Sequence, residues 1–221
     1  MADRVCVVVG VGAGLGLAIA KRFGSEGYQI AMIARRAEAL QDYEKTLATA
    51  QIEAVGFSAD VGDEASVTQA FSQIHNRLGT PTVLVYNAAV MKEYDPLTIS
   101  AQTVVQEFQV SVVGALTSIQ QVVAGMKAAG GGTILLTGGG LAFDAFSPPQ
   151  YLPLAIGKVS IRKLCFTMAN ALEPDNIHVA TVTVCGTIQP GTHFDPDTLA
   201  EVYWKLHTEE RSAWQREVVY Q

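Results

Sequence analysis

The run Val5-Cys6-Val7-Val8-Val9 leads directly into Gly10-Val11-Gly12-Ala13-Gly14-Leu15-Gly16 and then into a helix-forming segment. An unbroken apolar, mostly β-branched run suits a strand buried on both faces, which is typical of a parallel sheet covered by helices. The glycines after it remove side chains where backbone must turn sharply, approach a ligand closely and let a helix pack on the sheet. The helix that follows offers free N–H groups and the positive end of its dipole, a setting suited to phosphate. The spacing G-x-x-x-G-x-G is met by Gly10, Gly14 and Gly16, whereas the third glycine of G-x-G-x-x-G would fall on Leu15. Tight packing alone is the alternative use of such glycines. Their place between a buried strand and a helix favours a nucleotide cradle, with Gly10, Gly12, Ala13, Gly14, Leu15 and Gly16 as its residues.

The same alternation continues along the chain. Strands are predicted at 28–34, 52–58, 82–86, 133–137, 178–184 and 217–220, and helices at 37–50, 63–78, 100–128, 154–172 and 196–206. Parallel strands joined by helical, right-handed crossovers make a doubly wound α/β sheet of the Rossmann type. No linker, repeat or low-complexity segment interrupts the pattern, so residues 1–221 read as one domain.

Composition narrows the functional classes. The chain is 49% hydrophobic and 16% charged, enough apolar content for a substantial core and too much for disorder. A net charge of −6 opposes a whole-domain grip on nucleic acid or anionic membrane. No uninterrupted apolar run reaches the ~18 residues of a membrane span. Met1-Ala2-Asp3-Arg4 lacks a signal-like arrangement. Cys6, Cys165 and Cys185 are scattered in apolar segments and read as buried thiols in a reducing, cytoplasmic setting. His75, His178, His193 and His207 have no partners at metal-ligand spacing, so no metal is expected.

The end of the second strand indicates which nucleotide. A carboxylate there would accept the ribose hydroxyls of NAD, whereas arginine accommodates a 2′-phosphate. The sequence is Ile33-Ala34-Arg35-Arg36. Two adjacent guanidinia bind phosphate by charge-assisted forks and favour NADP(H). Their alternative is a solvated pair opening a helix.

Together these features resemble the short-chain dehydrogenase/reductase family over essentially the whole chain. Asp60-Val61 is similar to the family's Asp-Val pair, which contacts adenine, and Tyr86-Asn87-Ala88-Ala89 to its Asn-Asn-Ala-Gly segment. Cys185-Gly186-Thr187-Ile188 stands where the family has Pro-Gly and two further residues beside the nicotinamide. The resemblance implies a seven-stranded sheet in the order 3-2-1-4-5-6-7 with the cofactor across its carboxyl ends. It also implies cofactor contacts from Asp60, Val61, Asn87, Ala88, Ala89, Lys158, Gly186 and Ile188.

The family's catalytic pattern is met only in part. Lys158 matches its lysine, which binds the nicotinamide ribose, but the tyrosine position four residues earlier is Leu154. The serine position falls at about Gly139, and the helical asparagine aligns with Ser111. Tyr151 lies seven residues before Lys158, on nearly the same helical face. That separation is about two turns, or ~10 Å. Tyr151 therefore reads either as a substitute proton donor or as an aromatic lid. Ser111 reads as a holder of water or as a helix-packing residue, and Thr137 as a poorer donor. His193 could line the pocket or lie in solvent.

Only a short segment, Gly186 to Phe194, separates the sixth strand from the next helix, where the family usually carries a substrate cover. Tyr203, Trp204, Leu206 and Trp214 suggest a subunit contact, with ordinary core burial accounting for some of them, and the family implies a homodimer or homotetramer. Three functions remain open on this reading. The first is an NADP(H)-dependent oxidoreductase acting on a small carbonyl or alcohol. The second is a non-catalytic nucleotide-binding sensor or scaffold, and the third a non-redox enzyme on the same fold.

Overall fold

The computed structural model describes residues 4–221, so the expectation placed on Met1, Ala2 and Asp3 lies outside the described residues. Seven strands form one parallel sheet in the order β3-β2-β1-β4-β5-β6-β7. They are β1 (Val5–Val9), β2 (Gln29–Ala34), β3 (Ala54–Ser58), β4 (Pro81–Tyr86), β5 (Gly132–Thr137), β6 (Ile177–Val184) and β7 (Glu217–Tyr220). The helices are α1 (Leu15–Gly24), α2 (Ala37–Thr49), α3 (Glu64–Leu78), α4 (Ala101–Phe108), α5 (Gly114–Ala128), α6 (Leu152–Leu172) and α7 (Pro196–His207).

Side-chain alternation on β1 shows how the two layers are built. Val5, Val7 and Val9 face the core shared with α3, α5 and α6. Cys6 and Val8 face the opposite core, with α1, α2 and α7. The five residues of β1 are 0% exposed, as the continuous apolar run requires of a central strand. Helix starts follow the local chemistry. The Asp63 side chain caps α3 by accepting from the Ala65 N–H, and Asp195 caps α7 by accepting from the Asp197 and Thr198 N–H groups. Gly79, at φ +92°, ends α3 in a backbone conformation that side-chain-bearing residues rarely adopt.

The helix expected over 100–128 is interrupted. A π-helical turn, Gln109–Val113, separates α4 from α5. Widening the turn displaces carbonyls from the regular ladder, and the buried Tyr86 phenol at the end of β4 donates to one of them, Val110. Gly114 completes the fit, since a Cβ there would stand 2.3 Å from the Val61 carbonyl oxygen. The segment Ala101–Ala128 is also long and apolar enough to cross a membrane, with a mean hydropathy of 1.2 in its most apolar stretch. Here Ala115, Ile119, Val122 and Met126 of α5 join the core under the sheet.

Part of the C-terminal aromatic group is accounted for by burial within its own chain. Tyr203 is 0% and Leu206 1% exposed within their own chain. Trp204 packs edge-on against Phe23 and lies under the Arg22 guanidinium. Burying an aromatic or leucine side chain is worth about 1.5–3 kcal/mol, so these residues hold α7 against α1.

His207 closes this cluster between two hydroxyls, with Nε2 2.7 Å from Tyr28 Oη and Nδ1 2.9 Å from Thr133 Oγ1. Burial, with smaller contributions from His178 and Arg4, lowers its pKa from 6.5 to about 4. Between those values the unfolded chain binds the proton and the folded chain does not. Stability is therefore retained above pH 6.5 and lost as pH falls toward 4. The loss attributable to His207 is on the order of 3 kcal/mol. Urea midpoints measured through this window should fall more steeply for the wild type than for His207→Gln; parallel curves would contradict the assignment.

Candidate active site

Six of the seven strands run their carboxyl ends into one cleft of about 1060 Å³. Open parallel sheets bind ligands in this position because loops leave alternately to the two faces. The cleft runs from Arg35, Arg36, Ala39 and Tyr43 at one end, past the glycine turn, to Met91, Leu141, Phe146 and Leu154 at the other.

The glycine turn divides into two pairs. Gly10 has φ +86°, and a Cβ there would stand 2.4 Å from the Ala88 backbone nitrogen. A Cβ on Gly16 would stand 2.8 Å from the Gly10 carbonyl oxygen, so packing explains both residues. Packing does not explain Gly12 and Gly14, because a Cβ on either would meet nothing within 4 Å. Both border the cleft, as does Leu15, the first residue of α1. No side chain caps α1 and its first turn holds no acid, so its dipole and N–H groups face an approaching anion. Ala13 is exposed and stands outside the cleft lining.

Arg35 and Arg36 are exposed at the cleft's end, and neither has an acidic partner among the described residues. Asp60 accepts from the Gly62 N–H at 2.9 Å, which fixes the turn after β3, and Val61 lines the floor. Sequence reasoning missed Ala39 and Tyr43. Their spacing of four on α2 places them on one helix face, and that period was the available signal.

A directed hydrogen-bond chain organises the middle of the cleft. Asn87 Nδ2 donates to the Gly10 carbonyl at 3.0 Å. Asn87 Oδ1 must then be an acceptor, and it receives the Thr137 hydroxyl at 3.0 Å. With its proton committed, Thr137 accepts from the buried Tyr203 phenol at 2.8 Å. The Thr137 carbonyl in turn accepts from Lys158 Nζ at 2.8 Å. Ala88 and Ala89 continue from Asn87 along the wall. Gly186 and Ile188 line the far side, where a Cβ on Gly186 would stand 2.2 Å from the Phe194 ring.

Lys158 lies at the cleft floor, and burial lowers its pKa to about 8. Its stem crosses Gly139, where an added Cβ would lie 3.2–3.4 Å from Cγ, Cδ and Cε. Leu154, one turn earlier on α6, is 5% exposed and borders the cleft. Tyr151 is the N-cap residue of α6 and also borders the cleft, but its hydroxyl donates to Glu93 Oε1 at 2.7 Å. That bond to a carboxylate raises the phenol's pKa. Ser111 lies in the π-helical turn, away from the cleft lining. Its Cβ and Oγ are 2.9 and 3.1 Å from where a Cβ on Gly157 of α6 would be, which is a helix-packing position. His193 likewise lies outside the lining and stacks on Tyr220. Cys6 and Cys165 are buried, whereas Cys185, expected to be buried, is partly exposed and borders the cleft. Among the described residues no group of three His, Cys, Asp or Glu side chains gathers to hold a metal ion.

The wall over the substrate end is tied together by three contacts. The Tyr94 N–H donates to the Gln150 carbonyl at 2.9 Å, Tyr151 bonds Glu93, and the Tyr94 phenol bonds the buried Glu107. The segment after β4 thus packs on the start of α6. Residues Val90, Met91, Leu141, Phe146 and Leu154 give this end an apolar lining that local sequence pattern could not assemble.

The chain is 29% identical over 178 residues to an uncharacterized short-chain type dehydrogenase/reductase, y4mP, of Sinorhizobium fredii, covering 77% of this chain and 68% of that protein. It is 29% identical over 137 residues to carbonyl reductase family member 4 of Xenopus laevis, covering 62% of this chain and 56% of that protein. The fold matches that of a metagenomic short-chain oxidoreductase in complex with NADP, with a TM-score of 0.87, 24% identity and coverage of 98% of this chain and 96% of that one. Residues 4–197 match the short chain dehydrogenase family, and the chain belongs to that family.

Proposed function

We propose that this chain is an NADP(H)-dependent oxidoreductase acting on a small carbonyl or alcohol, with a proton donor other than the family's tyrosine. The observation that carries the reading is one cleft bordered by the unpacked glycines Gly12 and Gly14, the free guanidinia of Arg35 and Arg36, and Lys158. The cofactor bound there supplies the hydride. Gly12, Gly14 and the start of α1 would hold its pyrophosphate, Arg35 and Arg36 its 2′-phosphate, and Asp60 and Val61 its adenine. Asn87, Ala88, Ala89, Gly186, Ile188 and Lys158 would border the nicotinamide half. The apolar end formed by Met91, Phe146 and Leu154 suits a substrate with a hydrophobic body.

In this reading the whole chain acts as one nucleotide-binding domain. Its unpaired cysteines agree with a cytoplasmic setting. Val105, Val113, Ile156 and Val159 remain exposed on α4, the π-helical turn and α6, which supports a homodimer or homotetramer through these helices. Sedimentation should then show a smaller species for Val159→Asp than for the wild type; identical masses would count against this face.

Leu154 and Gly139 favour a second reading, a binding protein that retains the cradle without turnover, because neither offers a hydroxyl to a substrate oxygen. Calorimetry tests the shared part. NADPH should bind more tightly than NADH, and Arg35→Ala with Arg36→Ala should weaken NADPH by about 10–100-fold while leaving NADH nearly unchanged. Equal losses for both nucleotides would remove the phosphate clamp. NADPH consumption over a panel of aldehydes and ketones then separates the two readings.

A further inference from the structure

The titratable groups at the substrate end of the cleft are Tyr151, Cys185 and Lys158. The Tyr151 proton is committed to Glu93, and the resulting rise in pKa makes the phenol a weaker acid. Cys185 directs its thiol at the Thr183 carbonyl 3.7 Å away, and burial raises its pKa. The Thr137 hydroxyl is committed to Asn87. Lys158 differs from all of these. One of its three N–H bonds goes to the Thr137 carbonyl, and the other two have no partner among the described residues.

Two departures from the family pattern give the ammonium this freedom. Gly139 has no side chain, so the lysine stem lies across the end of β5 within 3.4 Å of where a serine Cβ would stand. Leu154 offers only methyl groups on the preceding turn, so no phenol stands on that turn between the amine and the apolar end of the cleft.

We infer that Lys158 is itself the proton donor of this chain, transferring a proton from its ammonium directly to the oxygen of an apolar aldehyde or ketone. The inference rests on the oxidoreductase reading above. In reduction, the carbonyl carbon gains a hydride from bound NADPH, and the electron pair of the C=O π bond moves to oxygen. That oxygen takes the Nζ proton, leaving alcohol, NADP⁺ and a neutral amine that water reprotonates. In oxidation the neutral amine takes the hydroxyl proton. Burial supports the role by bringing the amine's pKa to about 8, near the range where a general acid works at neutral pH. The groups the structure places against it are the Thr137 carbonyl at the end of β5 and Gly139 just after that strand. Neither is a carboxylate, and burial is the cause of the shift.

The test is single-turnover NADPH consumption with 4-nitrobenzaldehyde as the probe, over a pH range bracketing 8, beside calorimetric NADPH affinities. The wild-type rate should fall tenfold per pH unit above about 8. Lys158→Ala and the bulkier Lys158→Met should both lose about 10²–10⁴-fold in rate. Added trimethylamine or dimethylethylamine, tertiary amines that cannot condense with the aldehyde, should restore turnover to Lys158→Ala, with rates that follow amine basicity, which a ribose-binding role alone would not produce. Turnover that survives in both Lys158 variants overturns the inference and leaves the oxidoreductase reading intact. A limb displaced above pH 10 and abolished by Tyr151→Phe overturns it in favour of the phenol. A wild type that binds NADPH and consumes none with this or any other carbonyl in the panel overturns both.

Discussion

Thr137 is the point on which the site depends. It ends β5, its hydroxyl joins Asn87 to Tyr203, and its carbonyl holds Lys158. Four elements (the ends of β4 and β5, α6 and α7) are thereby fixed to one residue, and through Asn87 so is the glycine turn. The order of donors along this chain admits one arrangement, because the Gly10 carbonyl can only accept. A hydrogen-bond chain whose donors and acceptors are ordered in this way specifies geometry more sharply than apolar packing does. That explains how a cleft built from six strand ends keeps its cofactor half and its substrate half in register.

The cradle and the catalytic end are constrained by different physics. At the proposed cradle the requirement is absence of side chains at Gly12 and Gly14, where a Cβ would meet nothing within 4 Å. At the substrate end, specific atoms must meet the reacting oxygen, and there this chain carries Leu154 and Gly139. The two ends of the cleft are built by different elements, so a side chain at one end can differ without altering the glycine turn at the other. A single substitution can therefore change the chemistry without disturbing cofactor recognition. The Lys158 stem passes 3.2–3.4 Å from where a Cβ on Gly139 would stand, so a side chain there would compete with it for space.

The sheet was legible because β1 and its glycine turn impose a parallel, doubly wound order, and strand–helix alternation carries it to β7. Arg35 and Arg36 were legible for a similar reason, since their distance from β2 places them at a strand end. The π-helical turn was not, because Gln109–Val113 carries an ordinary helical composition. Its cause is a tertiary bond from Tyr86 and a close approach at Gly114. The bond from Tyr151 to Glu93, 58 residues earlier, was invisible to any local pattern, as was the packing of Ser111 on Gly157. Which of the aromatic residues around Tyr203 are core was not legible, because core and interface residues share a composition, and the position of α7 over α1 assigns Tyr203 and Leu206 to the core.

The central claim is that this cleft transfers hydride from NADPH to a carbonyl carbon. The most direct measurement is mass spectrometry of product formed with NADPH deuterated at C4 of the nicotinamide, using each of the two stereospecifically labelled forms. The account predicts one deuterium on the former carbonyl carbon from one form and none from the other. Product carrying no deuterium from either form, or tight NADPH binding with no product, would contradict it.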